Sequence, residues 1–417
     1  MDPKQVIGEL ARAAREAAGV LAVTGGRQRD AALLACSEAI RRSKDDLRSE
    51  NLKDLARGDE FGLSEAMVDR LTLSDERIEG MATAMEQIAG QRDPVGRTIS
   101  AGNRPDGLRV EKRRVPIGVI GIIYESRPNV TADAAGLCLK SANACILRGG
   151  KESIHSNLAI ARALRKGLAA GELPQTCITV LDNTDRSLVP AMATAVGLID
   201  LIIPRGGEKL IRAVTAAATI PVIKHFAGNC HVYVHAAATA EMAEAIVVNA
   251  KCQRPGVCNA AETLLVDAAL AEVFVPRIAA KLTEGGVELR GCKKSRKLAE
   301  MKPTTEDDWG AEYLDLVLAV KVVGGLDEAV KHINTYGSGH TDAIVTDDIE
   351  AAGRFVAAVD SSSVMVNAST RLSDGGVYGL GAEVGISTDK LHARGPMGAE
   401  DLTTYKWIVS GSGHLRT

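Results

Sequence analysis

Aromatic residues are scarce in this 417-residue sequence, because Phe, Trp and Tyr together make up only 3% of it. A core with so few rings must be built from Ala, Val, Ile and Leu, which fill the interior between helices and a parallel sheet. The 41 glycines supply many tight turns between strands and helices. These two features favour an α/β fold, and the length predicts two or three domains.

An excess of basic charge is also absent, since 50 Lys and Arg stand against 53 Asp and Glu, for a formal net charge of −3. Proteins that bind nucleic acid or acidic membranes usually carry a basic excess gathered into stripes. The balance therefore argues against both classes of partner. With 46% hydrophobic and 25% charged residues, the composition is that of a soluble globular protein.

Long hydrophobic runs are missing as well. Asp2, Glu9 and Glu16 break up the N-terminal residues, so neither a secretory signal nor a transit peptide is expected. The longest apolar candidate, 188–204, contains Asp200, and a bilayer span needs about 20 apolar residues. Eight scattered cysteines without a CxxC pair are typical of free thiols in a reducing compartment. We therefore predict a cytoplasmic protein without a transmembrane helix.

The common nucleotide and metal motifs do not occur. No GxGxxG follows a predicted strand, and GGKES at 149–153 lacks the upstream glycine and the hydroxyl residue of a P-loop. HVYVH at 231–235 alternates as a strand does, so it does not present the histidine pair of a metal-binding helix. No metal site is predicted.

Periodicity predicts the organisation of the first half of the chain. Residues 1–95 have helical spacing, and 98–114 contain a Pro-Asp-Gly turn between stretches of β character, which predicts a hairpin. The apolar run at 117–125 predicts a strand buried on both faces. Helices and strands then alternate, as in a parallel sheet with right-handed crossovers. The predicted helices are 131–142, 152–170, 187–196 and 207–217, and the predicted strands are 144–148, 177–181, 199–204 and 221–226.

A second α/β series is predicted in the rest of the chain. Its strands are expected near 232–235, 263–267, 314–323 and 361–367. The tail that begins at Tyr405 predicts a final strand that pairs with the hairpin.

Cys258 is the candidate nucleophile among the cysteines. It lies between a Pro-Gly turn and the strand at 263–267, so its side chain would project from the mouth of a strand, where substrates commonly bind in α/β folds. Most free cysteines are small buried hydrophobic residues, and this interpretation stays open. Cys252 is the competing candidate, but it precedes the turn.

Asn129 and two glycine loops are the other candidate site features. Asn129 places an amide at the carboxyl end of a buried strand, before a helix predicted to begin at Thr131, although Asn next to Pro is also a common turn former. The loops RGGKES (148–153) and PRGGEK (204–209) join strands to helices, so they present N–H groups and a helix N-terminus to an anion. Each loop is equally well explained as an ordinary turn, but two in one sheet favour anion binding.

In this order, these motifs resemble those of the aldehyde dehydrogenase superfamily. YESRPNVTADAAGLCLKSANACILRGGKES, QRPGVCNAAETLLV and KLHARGPMGAEDLTTYKW are similar to segments of its gamma-glutamyl phosphate reductase branch. The resemblance covers nearly the whole chain and implies that fold: two parallel-sheet α/β domains and a small oligomerisation hairpin. It implies an NADP-binding domain at 1–97 and 115–229, a catalytic domain at 230–366, and an oligomerisation hairpin with a C-terminal strand at 98–114 and 396–417.

The resemblance also implies roles for individual residues. Cys258 matches the nucleophile, Asn129 the oxyanion amide and Glu312 the acid that positions the nicotinamide ribose. The segment that holds the adenosine ribose and its phosphate is matched by Arg148, Lys151 and Glu152, and the pyrophosphate loop by Gly206 and Gly207. Lys151 beside Glu152 would suit a 2′-phosphate, or the two side chains form a solvent-facing ion pair.

One departure from the superfamily concerns the general base. Hydrolytic members carry a glutamate in an ELGG motif, and the corresponding stretch here reads HFAG with His225 at that place. The base that would activate water is therefore missing, and His225 either packs or handles a proton. The anionic substrate needs cations, and those in the matched motifs are Arg127, Lys224, Arg254 and Arg394, with the charge that each meets left open.

The implied reaction is the NADPH-dependent reduction of L-glutamyl 5-phosphate to L-glutamate 5-semialdehyde in proline biosynthesis, with release of phosphate through a cysteine thioester. The implied partners are a second copy of the chain, in a dimer or tetramer, and glutamate 5-kinase. A cysteine acyltransferase or hydrolase would also use Cys258 and Asn129 but would consume no NADPH. A non-enzymatic scaffold would tolerate the loss of Cys258.

Overall fold

The computed structural model of the chain contains two compact units. The first comprises Met1–Lys224, Gly379–Gly385 and Leu391–Thr417, and the second comprises His225–Tyr378 and Ile386–Lys390. The structure describes residues 2–416. Met1 and Thr417, at the two ends of the predicted domain ranges, lie outside the described residues.

The first unit opens with helices and continues as alternating strands and helices. Its helices are α1 (Pro3–Val23), α2 (Gly26–Arg42), α3 (Lys44–Leu55), α4 (Glu65–Leu71), α5 (Asp75–Gly90), α6 (Asn129–Lys140), α7 (Ile154–Ala170), α8 (Leu188–Ala193) and α9 (Glu208–Ala217). Its strands up to this point are β1 (Thr98–Asn103), β2 (Arg109–Pro116), β3 (Val119–Tyr124), β4 (Ala144–Arg148), β5 (Ile178–Val180) and β6 (Leu201–Arg205). The run of N-terminal helices, the hairpin and the alternation are confirmed.

The strands β3 to β6 form a parallel sheet in the order β5-β4-β3-β6. The carboxyl ends of β4, β3 and β6 therefore lie next to each other. In open α/β sheets, ligands bind at this edge.

The strands of the second unit are β7 (Cys230–Val234), β8 (Ala261–Asp267), β9 (Glu288–Gly291), β10 (Lys302–Pro303), β11 (Val317–Val323), β12 (Thr341–Val345), β13 (Ser363–Val366) and β14 (Ile386–Ser387). The strands β7 to β13 form a seven-stranded parallel sheet in the order β10-β9-β11-β8-β7-β12-β13. The helices of this unit are α10 (Ala240–Cys252), α11 (Ala268–Glu284), α12 (Leu326–Tyr336) and α13 (Ile349–Ala358).

The hairpin of the first unit is completed from the far end of the chain. After the short β15 (Gly395–Pro396), β16 (Thr403–Ser410) pairs antiparallel with β2 along its whole length. The strand order β1-β2-β16 leaves β16 at an edge. The prediction that the tail pairs with the hairpin is confirmed.

Two predictions of individual elements are wrong, and one buried strand was not predicted. The segment 221–226 is not a strand, because it makes only an isolated bridge between Ile202 and Val222 before the chain turns into an irregular loop. The first helix after β3 begins at Asn129 rather than at Thr131, because Pro128 already has helical dihedral angles. The strand β12 was not predicted, although Thr341–Val345 is fully buried.

The interior is aliphatic, as the composition predicts. Glycine allows α7 to pack closely against α2, because a Cβ on Gly167 of α7 would lie 2.5 Å from the backbone of Cys36 on α2. Among the described residues, no helix combines the length and the apolar character that crossing a membrane requires.

Candidate active site

Cys258 lies in the loop between α10 and β8, where it is half-buried. Its Sγ and one ring nitrogen each of His225 and His340 all lie within 4.8 Å of one another. The Cys230 thiol donates a hydrogen bond to the Cys258 carbonyl oxygen at 3.2 Å. The second unit thus brings a thiol and two imidazoles into one cluster, which we call the Cys-His cluster (His225, Cys258 and His340).

The two imidazoles of the Cys-His cluster are held by different partners. His225 Nδ1 lies 3.0 Å from the carbonyl oxygen of Ile386, and since a carbonyl only accepts, Nδ1 carries the proton and Nε2 carries the lone pair. His340 is fully buried, and its Nδ1 lies 2.8 Å from Thr341 Oγ1. The rings meet edge to face with centroids 5.7 Å apart. The sequence pointed to His225, but it gave no signal for His340.

Gly228 of the HFAG segment packs directly against the Cys258 backbone. A Cβ at this position would overlap with the Cys258 carbonyl group, so only glycine allows the approach. The Gly228 N–H donates to Glu312 Oε1 at 2.8 Å. Glu312 is therefore tied to the backbone beside the candidate nucleophile.

A buried ion pair supports the segment that carries Glu312. Lys251 donates to Glu262 at 2.6 Å, and both side chains are fully buried. Glu262 also accepts from the backbone N–H of Leu314 at 3.2 Å. Burial raises the pKa of Glu262 to about 7. The sequence analysis missed this pair, because nothing in the spacing of Lys251 and Glu262 distinguishes them from surface residues.

Arg371 is a further residue near the cysteine that was not predicted from the sequence. Its guanidinium donates to Gln253 Oε1 at 2.9 Å and to Asn259 Oδ1. Burial and then the charge of Arg254 lower the pKa of Arg371, while Cys258 acts in the opposite direction. The guanidinium groups of Arg254 and Arg371 thus both lie close enough to the cysteine loop to interact with it electrostatically. Arg254, one of the predicted substrate residues, is exposed.

The other cysteines differ from Cys258 in their surroundings. Cys252 ends α10, and burial raises the pKa of its thiol. Burial also raises the pKa of Cys36 and of Cys177, each to about 12. At Cys292 burial is outweighed by hydrogen bonds from Ser295 and neighbouring backbone groups, so its pKa is lowered. Experiments on thiol reactivity therefore need to distinguish Cys258 from Cys292.

In the first unit, Asn129 is the first residue of α6 and is exposed. Its amide donates to Asp133 Oδ2 at 3.0 Å, one helical turn further on. Burial raises the pKa of Asp133 to about 6. The amide is thus positioned at the carboxyl end of β3, where the sequence analysis expected it.

The RGGKES loop follows β4 in the same sheet. Arg148 is buried and donates to the Thr184 carbonyl at 2.9 Å, and its Nε is buried without a hydrogen-bond partner. Glu152 accepts from both the N–H and the hydroxyl of Ser126 at 2.7 Å. Lys151 Nζ lies 4.7 Å from the centre of the Phe61 ring. Lys151 and Glu152 thus each have a partner other than the neighbouring charge.

The PRGGEK loop already holds an anion of its own chain. The Gly207 N–H, at the N-terminus of α9, donates to Glu125 Oε2 at 2.9 Å. The same carboxylate lies where a Cβ on Gly206 would be. A carboxylate in this position acts as a stand-in for a phosphate oxygen, so the loop fits the pyrophosphate of a dinucleotide. The buried Nε of Arg148 offers a further donor at the end of the neighbouring strand.

The remaining predicted substrate residues belong to the first unit. Arg127 lies between β3 and α6, Lys224 ends the segment that follows α9, and Arg394 precedes β15. All three are half-buried. The structure therefore groups His225, Cys258 and Glu312 in one unit, and it groups Asn129 with the two glycine loops along one sheet edge of the other.

Comparison with known proteins identifies the family of the chain. A model of the aldehyde dehydrogenase family matches residues 2–290, and the chain belongs to this family. The chain is similar to gamma-glutamyl phosphate reductase from Thermotoga maritima, with 46% identity over 98% of this chain and 99% of that one and a TM-score of 0.96. This similarity assigns the chain to the gamma-glutamyl phosphate reductase branch of the family.

Two further solved structures extend the comparison. Gamma-glutamyl phosphate reductase from Saccharomyces cerevisiae is 30% identical over 98% of both chains, with a TM-score of 0.55. Glyceraldehyde-3-phosphate dehydrogenase from Methanocaldococcus jannaschii, solved in complex with NADP, is 15% identical over 98% of this chain and 95% of that one, with a TM-score of 0.71. At this lower identity the likeness concerns the fold, and the predicted aldehyde dehydrogenase fold is confirmed.

Proposed function

We propose that this chain reduces L-glutamyl 5-phosphate to L-glutamate 5-semialdehyde with NADPH, in the cytoplasm, as a step of proline biosynthesis. The observation that carries the proposal is the Cys-His cluster beside the Glu312 segment, in a chain 46% identical to a gamma-glutamyl phosphate reductase. A thiol flanked by two imidazoles has the composition of an activated nucleophile, because an imidazole nitrogen accepts the thiol proton.

The thiolate of Cys258 attacks the acyl carbon of the substrate, and inorganic phosphate leaves with the bonding electron pair to give a thioester. His225 Nε2 carries the lone pair that accepts the thiol proton. The segment HFAG places this imidazole where hydrolytic family members carry a glutamate. Once the imidazole has accepted the thiol proton, it is no longer a base that could activate water for attack on the thioester. When bound, NADPH supplies the hydride that reduces the thioester carbon, and release of the aldehyde regenerates the thiolate.

The cofactor is proposed to bind along the sheet edge of the first unit. Gly206 and Gly207 would meet the pyrophosphate through the N-terminus of α9, and Arg148, Lys151 and Glu152 would hold the adenosine ribose and its phosphate. The proposal is supported by the carboxylate already bound at the Gly207 N–H. Glu312 would position the nicotinamide ribose. In this proposal the NADP-binding domain comprises 1–97 and 115–229, and the catalytic cysteine lies in the domain 230–366.

Asn129 and the Cys258 backbone N–H are proposed to hold the oxyanion of the tetrahedral species. One such donor typically lowers the barrier by roughly 2.7–4 kcal/mol. We expect Asn129→Ala to lower kcat about a hundredfold or more, measured in the phosphate-dependent assay described below. Unchanged thermal unfolding serves as the control for the fold, and an unchanged kcat would remove Asn129 from the mechanism.

The anionic substrate is proposed to meet basic side chains. Arg127, Lys224, Arg254 and Arg394 remain candidates from the sequence, and Arg371 joins them because it contacts Asn259, the residue after Cys258.

The hairpin is proposed to join copies of the chain into a dimer or tetramer. Its edge strand β16 exposes Tyr405, Trp407 and Val409 by 48, 58 and 56% respectively. An unpaired edge with exposed apolar side chains is a template for pairing with another chain. Association with glutamate 5-kinase, which would supply the labile acyl phosphate, stays a prediction from the family.

The deciding experiment runs the reaction in reverse. Purified protein with glutamate 5-semialdehyde and NADP should produce NADPH only when inorganic phosphate is present, and Cys258→Ser should abolish this activity. Cys252→Ser, which changes the other half-buried thiol of the segment, should leave most of it. Activity without phosphate, or activity that survives Cys258→Ser, would overturn the proposal in favour of another reaction.

A further inference from the structure

We propose that the Cys-His cluster is also a binding site for a divalent metal ion of the zinc class, and that the bound ion masks the nucleophile. The masking part of this inference depends on the proposed function, because it requires Cys258 to be the catalytic thiol. The binding part depends only on the residues of the second unit.

The spacing of the three donors fits a tetrahedral ion. Zinc binds thiolate sulfur at about 2.3 Å and imidazole nitrogen at about 2.0–2.1 Å, which places neighbouring tetrahedral ligands about 3.3–3.6 Å apart. The three donor atoms of the cluster all lie within 4.8 Å of one another. They therefore need to approach by no more than about 1.5 Å, a movement within reach of side-chain rotation.

The donors are oriented by groups outside the cluster. The Ile386 carbonyl fixes the proton of His225 on Nδ1, so Nε2 carries the lone pair that a metal requires. Thr341 Oγ1 lies 2.8 Å from Nδ1 of the buried His340 and holds this ring in place, while a hydroxyl, which both donates and accepts, leaves either ring nitrogen able to carry the lone pair. Hydrogen bonds of this kind to the second ring nitrogen are typical of histidines that bind metals, because they fix the ring and its tautomer.

The donor types decide the class of ion. One thiolate and two imidazoles suit zinc and its cobalt substitute, whereas magnesium and calcium prefer oxygen ligands. Three protein ligands leave a fourth position for water, as in open rather than structural zinc sites. Arg254 and Arg371 add positive charge near the cysteine loop, so we expect weaker binding than at a structural zinc site.

Binding and catalysis exclude each other at this site. The metal binds the thiolate form of Cys258, so the thiol proton is released when the ion binds. The ion then occupies the same sulfur electron pair that attacks the acyl carbon in the proposed reaction. The metal-bound enzyme is therefore inactive, but its thiolate is protected from alkylation and oxidation. Removal of the ion restores the nucleophile without chemical change.

The test begins with spectroscopy on the complete chain without substrate. Cobalt(II) added to chelator-treated protein should give one equivalent of a sulfur-to-cobalt charge-transfer band, and zinc should displace it. Cys258→Ser should abolish the band, and His225→Ala or His340→Ala should weaken binding at least about tenfold. Cys252→Ser and Cys292→Ser are matched controls that should retain it. A band that survives Cys258→Ser, or that neither histidine variant weakens, would refute the site.

A second measurement uses the unaltered protein and so does not depend on the folding of any variant. Zinc should slow alkylation of Cys258 by iodoacetamide at least about tenfold without slowing that of Cys292, as peptide mass spectrometry would show. Equal rates at Cys258 with and without zinc would refute the site. Zinc should also inhibit turnover, and a chelator should restore it. A protein that shows the cobalt band but no phosphate-dependent activity would refute the proposed function and support the metal site. Phosphate-dependent activity without the cobalt band would support the proposed function and refute the metal site.

Discussion

Gly228 is constrained on two sides by its neighbours in the site. It lies against the Cys258 carbonyl group on one side and donates its N–H to Glu312 on the other. Both a cysteine loop and an acid that the resemblance assigns to the cofactor are thus positioned by a residue without a side chain. The HFAG segment differs from ELGG at its first three positions and retains this final glycine.

We therefore expect Gly228→Ala to lower kcat/KM at least about tenfold, because the added Cβ pushes the Cys258 loop out of place. The KM for NADPH should rise as well, since the backbone N–H that holds Glu312 shifts with it. Steady-state kinetics would measure both effects. Gly353→Ala is a matched control, because a Cβ there meets nothing within 4 Å. If Gly228→Ala had the kcat/KM and KM of the wild type, the close contact between Gly228 and the Cys258 carbonyl group would not matter for catalysis.

Asp133, the partner of Asn129, makes stability depend on pH. Its folded pKa, about 6, lies above the ordinary 3.8, so ionisation of this carboxyl group favours the unfolded chain. The stabilising contribution of the protonated acid is fully present below about pH 3.8 and is lost as the pH rises through about 6.

Asp133→Asn should accordingly raise the free energy of unfolding at pH 8 by about 1–3 kcal/mol relative to the wild type, and the difference should vanish near pH 4. Denaturant titrations at a series of pH values would measure it. The exposed Asp307 provides a control in Asp307→Asn. A constant difference between Asp133→Asn and the wild type across this range would contradict the assigned pKa.

At the scale of elements, hydrophobic periodicity was sufficient for the buried strands of the first unit, but it missed the equally buried β12 of the second. The predicted bounds of β4 are those of the structure, and β3, β5 and β6 differ by a few residues at their ends. Periodicity was misleading at 221–226, where the segment forms only an isolated β-bridge between Val222 and Ile202. It also placed the start of α6 two residues late, because Pro128 adopts helical dihedral angles before Asn129.

The N-terminus of α9 carries a contact that was not predictable from local pattern. Glu125 belongs to the loop after β3, and its carboxylate reaches the Gly207 N–H after β6. The two strands are neighbours in the sheet, although about 80 residues separate them in the sequence. An intramolecular anion thus competes for the position proposed for the pyrophosphate.

Glu125→Gln should weaken that competition, because a neutral amide binds less well to the positive end of a helix. We expect the Kd for NADPH to fall about two- to fivefold, equivalent to roughly 0.4–1 kcal/mol, in a fluorescence titration. Glu16→Gln, which removes an exposed carboxylate from α1, should leave the Kd unchanged. Weaker NADPH binding in Glu125→Gln would mean that this carboxylate supports the cofactor site instead of competing for it.

At the scale of the whole molecule, the fold was predictable from the sequence and Cys258 was its candidate nucleophile, but the sequence did not reveal which side chains surround this cysteine. His340 and Arg371 lie more than 80 residues after Cys258, and only the parallel pairing of β7 with β12 and the turn after β13 bring them back. Neither residue belongs to a local motif. Side chains whose role depends on long-range topology stay unmarked in a single sequence, whereas the glycine loops and the Pro-Gly turn are recognisable from adjacent residues.

The edge strand β16 yields a prediction about assembly. Trp407→Glu should shift the protein to a smaller species in size-exclusion chromatography with light scattering, because a charge replaces a large apolar side chain in the proposed interface. Thr404→Glu, on the opposite face of the same strand, is the control, since side chains alternate along a strand. A species of unchanged mass in Trp407→Glu would place the contact between copies elsewhere.

The pairing of β2 with β16 also has a consequence during protein synthesis. Pro116 leaves the ribosome roughly 290 residues before its partner Thr403, which at about 5–20 residues per second leaves one edge of the hairpin uncovered for about 15–60 s. During that time β2 is itself an edge strand. It carries Arg109, Lys112, Arg113 and Arg114, and like charges of this kind on nascent chains of a polysome repel each other. Because charged side chains on an edge strand disfavour pairing with another chain, the composition of β2 opposes association during this interval.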